Sequence, residues 1–143
     1  MLDILESACI LLAKAEQKHF LYTKKMLEEA GLEVSPSQIT VLYALYNEEN
    51  ISISELGKKV FLDNSTLTGL IDRMERSGLV LRIDAPYDRR SYHVILTEKA
   101  KAIQQDIQKV LGTIEKKMLE NYTEDEVLAF RKILFHIFTD FEV

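Results

Sequence analysis

Apolar residues recur every three or four positions between residues 64 and 76, which is the spacing of one buried helical face. This stripe consists of Leu67, Leu70, Ile71 and Met74. Asp63 or Asn64 can cap the start of the helix, and Ser77-Gly78 can end it. The pattern therefore predicts an amphipathic helix with one buried face and one polar face.

Three other helix starts carry a capping-box pattern, in which a hydroxyl residue is followed three positions later by Glu or Gln. The boxes are Ser35 to Gln38, Ser52 to Glu55 and Thr123 to Glu126. Pro36 stands at the first helical position, where its missing N–H costs nothing. A helix is therefore predicted from about Pro36 to Tyr46.

Two strand-like runs follow the helix that carries the apolar stripe. They extend from Leu79 to Asp84 and from Tyr92 to Leu96, and a polar segment with Pro86 separates them. This order predicts a β-hairpin with a long tip. The tip would carry Arg89 and Arg90 side by side.

Long helices are predicted at both ends of the chain. The segments from about Leu2 to Ala30 and from about Glu98 to Glu120, the second capped by Thr97, contain no Gly or Pro apart from Gly112. Each helix would be on the order of 35 to 45 Å long, which is longer than the core of a small domain is wide.

The last helix, after Thr123, has apolar residues on two flanks. They are Val127, Phe130, Leu134, Ile137 and Phe141 on one flank, and Leu128, Ile133 and Phe138 on the other. Such a helix is expected to be buried all round, which a chain of 143 residues is not expected to achieve alone. An intramolecular bundle would explain any single terminal helix, but apolar helices at both ends favour a homodimer.

Composition restricts the class of protein. With 47% apolar and 29% charged residues, the chain is typical of one soluble globular domain. The apolar run from Ala8 to Ala13 is too short and lacks the basic flank of a signal peptide, so a cytoplasmic location is expected. A single cysteine and widely separated histidines (His19, His93 and His136) indicate no disulfide, metal or other cofactor.

The net charge of −5 hides an uneven distribution. Between Ser54 and Lys99, eight basic residues and seven acidic ones give +1, so the rest of the chain carries −6. This contrast is compatible with a surface for a polyanion and equally with ordinary solvated faces.

The elements between residues 52 and 96 follow the order of a helix-turn-helix and a wing. They predict a mainly α-helical fold with a small β-hairpin wing, of the α+β class. A helix about 10 to 12 Å across fits a DNA major groove about 12 Å wide. The outward face of the second helix is small and polar at first and basic further on, with Ser65, Thr68, Gly69, Asp72, Arg73 and Arg76. A merely solvated face would carry long Lys and Glu side chains instead.

The position of Arg89 and Arg90 in the predicted wing suggests a role for them in DNA binding. Guanidinium groups at a hairpin tip beside a bound recognition helix would lie near the minor groove, whose negative potential attracts them. Asp88 lies two residues before Arg90, where it can hold that guanidinium by a charge-assisted pair. Asp72 is unfavourable beside phosphate and is expected to orient an arginine. Double-stranded DNA is therefore the predicted partner.

The same residues carry a resemblance to a known family, and it covers essentially the whole chain. The segments are Asp63-Asn64-Ser65-Thr66-Leu67-Thr68, Ile71-Asp72-Arg73-Met74-Glu75-Arg76-Ser77-Gly78-Leu79-Val80, Asp84-Ala85-Pro86-Tyr87-Asp88-Arg89-Arg90 and Val94-Ile95-Leu96-Thr97. On them, the sequence resembles the MarR family of bacterial and archaeal transcription regulators. Many members have glycine where this chain has Ala100, a change that affects little beyond local helix geometry.

The resemblance implies a single MarR-type domain over residues 1–143, with dimerisation helices at 1–33 and 98–143 and a winged helix-turn-helix lobe at 34–97. It implies a dimeric repressor on a pseudo-palindromic operator, with half-sites about one helical turn apart. Arg90 would enter the minor groove and Asp88 would brace it. The expected DNA-binding residues are Ser65, Thr66, Thr68, Gly69, Arg73, Arg76, Asp88, Arg89 and Arg90.

The resemblance further implies control by a small, often aromatic effector in the crevice between the dimer helices and the DNA-binding lobe. Candidate lining residues, which fit ordinary half-buried positions equally well, are His19, Tyr22, Tyr43 and Tyr46.

Cys9 is the candidate for redox control, because one branch of the family senses organic peroxides through a cysteine in its first helix. A sensor thiol must be reactive and accessible to oxidant. The neighbours of Cys9 are apolar, from Ala8 to Leu12. A buried, inert thiol is therefore predicted, and a redox sensor is the alternative.

Two other classes of function fit the sequence less well. A winged helix that binds only proteins would keep the fold without DNA binding, and the near-neutral centre of the chain leaves that alternative open. An enzyme is not expected, because no nucleophile-base pair, phosphate-binding glycine loop or close carboxylate pair stands out in the sequence.

Overall fold

The computed structural model describes residues 3–85 and 87–143, with the side chains of all except residues 88–90. In chain order, its elements are a 3-10 helix (Ile4–Glu6), α1 (Ala8–Glu29), α2 (Pro36–Asn47), β1 (Ile51–Ser52), α3 (Ile53–Val60), α4 (Asn64–Arg76), β2 (Val80–Ala85), β3 (Asp88–Leu96), α5 (Glu98–Ala102), α6 (Gln104–Leu119) and α7 (Glu124–Asp140). The predicted class, mainly α with a small β element, is confirmed. The chain divides into two compact units, Met1–Val110 and Leu111–Val143.

The helix starts follow local sequence closely. Ser35 and Thr123 cap α2 and α7, and both capping boxes are complete. At α3, Ser52 accepts from the Glu55 N–H at 3.1 Å, but the Glu55 carboxylate accepts from the Ser52 hydroxyl at 3.2 Å. The prediction of a complete box at α3 is therefore wrong, since the Ser52 backbone belongs to β1 and pairs with β3.

The first long helix begins later than the sequence indicated. Its predicted start at Leu2 lies outside the described residues. Asp3 caps the 3-10 helix at Ile4–Glu6 by accepting from the N–H two residues later, at 2.9 Å. Ser7 then caps α1. Two caps in close succession divide the segment into two helices.

The sheet has three antiparallel strands in the order β1-β3-β2, so the predicted hairpin gains a third strand. Regular pairing ends at Asp84 and Tyr92, where the predicted runs meet the polar segment, but that segment is not all loop, because β3 begins at Asp88 and its backbone includes Arg89 and Arg90. Pro86, which was assigned to the tip, lies outside the described residues.

The hairpin is irregular at its outer end. Asp84 of β2 pairs with Tyr92 of β3, but the next residue, Ala85, pairs with Asp88. One step along β2 thus corresponds to four steps along β3. Residues 89–91 therefore form a bulge in β3.

The single helix predicted after Thr97 is in fact two helices, with a break at Ile103 (φ −94°, ψ −1°). Tyr46 of α2 donates its hydroxyl hydrogen to the Ala100 carbonyl oxygen at 2.5 Å. In a continuous helix, the same oxygen would accept from the N–H of Gln104. A side chain that enters the hydrogen-bond ladder in this way is a recognised cause of helix breaks.

The helix-turn-helix packs on the core of the unit Met1–Val110. The predicted stripe of α4 is confirmed, with at most 4% exposure at Leu67, Leu70, Ile71 and Met74. Burial of each such side chain contributes roughly 1.5–3 kcal/mol. The α3 backbone comes close to the following turn at Gly57, where an added Cβ would lie 3.0 Å from the Leu62 carbonyl oxygen. Together these contacts fix which face of α4 points outward.

The unit Leu111–Val143 contains the end of α6 and all of α7. Arg131 donates to Glu115 at 2.6 Å across this helix pair. None of the residues of α7, all of which the structure describes, is buried. The large apolar side chains that α7 exposes are Leu128, Phe130, Ile133, Phe135 and Phe138. The single chain thus leaves α7 uncovered, as expected of a helix too apolar for one chain to bury.

This unit also contains an apolar groove of about 600 Å³, lined by Met118, Leu119, Tyr122, Glu126, Val127, Ala129, Phe130 and Ile133. Within residues 3–85 and 87–143, no helix combines the length and the apolar character that crossing a membrane requires.

Candidate nucleic-acid interface

A charged cap fixes the N-terminus of α4. Asp63 accepts from the Thr66 N–H at 2.7 Å. This hydrogen bond lowers the pKa of Asp63, so its carboxylate is ionised at neutral pH. The cap satisfies a helix amide, but it also places a negative charge beside the first turn of the predicted recognition helix.

The outward face of α4 carries the residues that the sequence assigned to it. Ser65, Thr66, Arg73 and Arg76 are exposed, and Thr68 and Gly69 are partly exposed. Within 4 Å, an added Cβ at Gly69 would meet the Arg73 Nη1 atom, at 3.8 Å. The small residues at the start of this face therefore leave room for another molecule to come close to the helix backbone. The end of the face carries the cationic side chains of Arg73 and Arg76.

A cleft of about 310 Å³ opens beside this face. Its lining includes Ser37 and Thr40 of α2 together with Thr66 and Arg73 of α4. Sequence reasoning did not single out Ser37 and Thr40. They are distant from α4 along the chain, so no local signal indicates that they belong to this surface.

Arg82 of β2 is another residue that sequence reasoning missed. Its backbone N–H donates to Glu75 Oε2 at 3.1 Å, its Nη1 donates to Glu75 Oε1 at 2.9 Å, and its Nη2 pairs with Asp72. The guanidinium carbon lies 5.0 Å from the centroid of the Tyr92 ring. Burial by itself lowers the pKa of Arg82, but hydrogen bonds to Asp72 and Tyr92 raise it overall. Arg82 is thus the arginine that Asp72 orients.

The wing residues lie at the outer end of the sheet. The backbone of Asp88, Arg89 and Arg90 belongs to β3. The predicted pair between Asp88 and Arg90 falls on side chains outside the described part of the structure. Closer to the core, His93 Nδ1 of β3 lies 3.1 Å from Asn50 Oδ1, next to β1.

The four candidate effector residues lie on α1 and α2. His19 and Tyr43 are exposed, whereas Tyr22 and Tyr46 are partly buried. Burial, with a smaller contribution from Tyr43, raises the pKa of Tyr46. A cleft of about 580 Å³ at the end of α1 has a different lining, which comprises Phe20, Lys24, Glu28, Gly31, Leu32, Glu33, Val34, Ser35 and Pro36. The structure brings Tyr43 near Tyr46 but does not gather the four residues into this cleft.

Cys9 is exposed on α1, so the predicted burial of its thiol is wrong for the single chain. The apolar neighbours that suggested burial, Ile10, Leu11 and Leu12, are exposed themselves. This segment is apolar without being covered by the rest of the chain. Among the described side chains, no group of three or more His, Cys, Asp or Glu residues is arranged to hold a metal ion.

Comparison with known sequences agrees with this geometry. The sequence model of the MarR family matches residues 34–92. The uncharacterized HTH-type transcriptional regulator YsmB of Bacillus subtilis is 31% identical over 124 residues, which cover 82% of this chain and 85% of YsmB.

Solved structures share the fold. A mutant of MarR from Escherichia coli, complexed with operator DNA, has a TM-score of 0.78 and 27% identity, and the match covers 89% of this chain and 90% of that one. The PcaV transcriptional regulator from Streptomyces coelicolor, in complex with its natural ligand, has a TM-score of 0.82 and 22% identity over 96% of this chain and 95% of PcaV. With the family match and the winged helix-turn-helix, these likenesses show that the chain belongs to the MarR family of transcriptional regulators.

Proposed function

We propose that the chain is a cytoplasmic, non-enzymatic repressor that binds a pseudo-palindromic operator as a homodimer. The observation that carries this proposal is the outward face of α4, where small polar residues precede Arg73 and Arg76. On bound DNA, the small residues would approach base edges in the major groove, and the arginines would contact phosphates or a guanine edge. The related MarR protein from Escherichia coli was solved in complex with operator DNA, which supports DNA as the partner.

In this proposal, residues 34–97 form the DNA-binding lobe, and residues 1–33 and 98–143 supply the dimer helices. Arg89 and Arg90 would contact the minor groove, with Asp88 bracing Arg90. The position of their backbone at the outer end of β3 supports a contact beyond the reach of α4.

The proposed dimer is supported by the apolar surface that the single chain leaves open. On α1 this surface includes Ile10, Leu11, Leu12, Phe20 and Leu21, and α7 adds the residues named above. Monomeric soluble proteins rarely expose apolar surface of this extent. Half-sites one turn of duplex apart would require the two copies of α4 in the dimer to lie about 34 to 36 Å apart.

Control by a small aromatic effector is part of the proposal, with His19, Tyr22, Tyr43 and Tyr46 as candidate contacts. The ligand-bound state of PcaV, which shares the fold, supports this kind of control.

The test is selection of bound sequences from a random duplex pool. We expect a two-fold symmetric consensus, because symmetric subunits read symmetric half-sites. Titration against salt separates DNA binding from a protein-only winged helix, since phosphate contacts make affinity fall steeply as salt rises. A chain that recovers no consensus and ignores duplex at low salt would contradict the proposal.

Arg90→Ala tests the wing. We expect it to weaken binding to the selected duplex by about 1 to 3 kcal/mol while the dimer stays folded. Lys25→Ala is the control, since Lys25 is an exposed cation of α1 whose partner there is Glu29. Gel-shift titrations in which both variants match the wild type would remove the wing from the interface.

A second candidate function is redox control through Cys9, and the exposure of its thiol favours it. Oxidation would then release DNA. If Cys9→Ser keeps the wild-type response of operator binding to peroxide, this candidate is excluded.

A further inference from the structure

Arg82 connects the wing to the recognition helix through three donors. It is the residue of β2 whose backbone N–H and Nη1 both bond to the Glu75 carboxylate, at 3.1 and 2.9 Å, while its Nη2 pairs with Asp72. Asp72 and Glu75 lie three residues apart on α4, and hence on neighbouring parts of one helix surface. The Arg82 side chain is only 20% exposed. Its donors thus point into α4 and not outward.

The connection lies at the base of the irregular part of the wing. The Arg82 guanidinium carbon lies 5.0 Å from the ring centroid of Tyr92. Tyr92 pairs with Asp84, and the register shifts at the next residue of β2. Arg82 therefore holds the last regular pair of the hairpin, from which the segment with Arg89 and Arg90 extends.

We propose that Arg82 is a positioning residue for DNA recognition, which sets the angle between α4 and the wing without contacting DNA itself. The proposal rests on the proposed function. A duplex presents its major groove and the adjacent minor groove in a fixed relation, so α4 and the wing tip can bind together only at a matching angle. The planar guanidinium directs its N–H donors along fixed lines, and charge-assisted hydrogen bonds to two carboxylates of one helix therefore suit this task.

Removal of the Glu75 charge distinguishes a positioning role of Arg82 from a purely electrostatic effect on DNA binding. Glu75 and Asp72 are acidic groups on the proposed DNA-binding helix. If only charge mattered, removing the Glu75 carboxylate would strengthen binding to any duplex, because it removes a repulsion of phosphate. If Arg82 positions the wing through Glu75, the same change weakens binding to the selected sequence.

The experiment compares Arg82→Ala, Glu75→Ala and the double variant with the wild type on the selected operator and on random duplex, at several salt concentrations. Glu48→Ala is the matched control, because it removes a carboxylate that pairs with a cation (Lys59, 2.8 Å) at a residue outside the dimer helices and outside the proposed DNA contacts. Thermal unfolding of every variant shows whether it is folded at the temperature of the titrations.

We expect Arg82→Ala and Glu75→Ala each to lower operator affinity about tenfold, which corresponds to ~1.4 kcal/mol. Random-duplex affinity should fall little, and the salt slope should stay that of the wild type, since no phosphate contact is lost. The double variant should bind as the single variants do, because the two residues act as one unit.

Three results would overturn the proposal. One is operator affinity equal to the wild type in both single variants, and another is tighter binding by Glu75→Ala. The third is a parallel loss of operator and random-duplex affinity with a shallower salt slope, which identifies Arg82 as a phosphate contact. If Arg82→Ala does not fold, Glu75→Ala decides by the same criteria. Failure of the wild type to bind any duplex refutes the proposed function instead.

Discussion

At the scale of single residues, Tyr46 shows how one hydroxyl influences a distant helix. It lies on α2, and its hydroxyl donates to the Ala100 carbonyl oxygen at 2.5 Å. That acceptor lies just before the break between α5 and α6. A residue that the sequence places in a candidate effector site thus has a structural hydrogen bond as well.

We expect Tyr46→Phe to lower the free energy of unfolding by about 1 kcal/mol, because a partly buried hydrogen bond is lost. Denaturant unfolding followed by circular dichroism measures the change. Tyr87→Phe is the matched control, since Tyr87 is 100% exposed and its hydroxyl should contribute little. Equal unfolding free energies for Tyr46→Phe and the wild type would show that the bond does not stabilise the fold.

The wild type and Tyr46→Phe should also differ in how their free energy of unfolding depends on pH. Burial raises the pKa of Tyr46 in the folded chain above the ordinary value of 10.0. The hydroxyl therefore ionises first in the unfolded state, and its contribution to stability is complete below that value and lost as pH rises through the folded pKa. Unfolding at about pH 9 and about pH 11 should show a steeper loss of stability for the wild type than for Tyr46→Phe.

At the scale of elements, the contact between α3 and the turn before α4 depends on a glycine. An added Cβ at Gly57 would lie 3.0 Å from the Leu62 carbonyl oxygen and 3.7 Å from Leu67 Cδ2. At Gly112 in α6, an added Cβ would meet nothing within 4 Å. An added methyl group is therefore expected to be unfavourable at Gly57 and harmless at Gly112.

We expect Gly57→Ala to lower the free energy of unfolding by about 1 kcal/mol, because the turn must shift to accept the methyl group. Gly112→Ala should raise it by roughly 0.5 to 1 kcal/mol, since alanine is the better helix former and has room there. Denaturant unfolding of both variants measures the difference. If Gly57→Ala is stabilised as much as Gly112→Ala, the close approach does not constrain the helix-turn-helix.

The elements differ in how far the sequence alone predicts them. Helix starts are local, so the Ser35 and Thr123 boxes and the α4 stripe were predictable from a few neighbouring residues. The pairing of β3 is not local, and polar residues such as Arg89 gave no sign that the strand begins at Asp88. Of the DNA-binding candidates, the face of α4 follows from its helical period. The contacts of Arg82, which is not among these candidates, could not be predicted, because its partners Glu75 and Asp72 lie on another element.

At the scale of the whole molecule, exposed apolar residues lie on both terminal helices. Both helices expose several large apolar residues, and Leu21 of α1 and Ile133 of α7 are 57% and 58% exposed. These helices are the two ends of a chain whose middle carries the polar face of α4. In the proposed dimer, a second copy would cover this apolar surface.

We expect the wild type to have about twice the chain mass of 16.5 kDa in solution, as measured by light scattering after size exclusion. Ile133→Asp should give a lower mass, because a buried, unpaired carboxylate in an interface is costly. It should also bind the selected operator about tenfold more weakly or worse, since the two half-sites are no longer bound by one linked unit. Leu81→Asp is the control for mass, since Leu81 is an exposed apolar residue of β2 (48%) outside the proposed interface. A wild type of single-chain mass, or an Ile133→Asp variant that keeps the doubled mass, would mean that α7 is not part of a dimer interface.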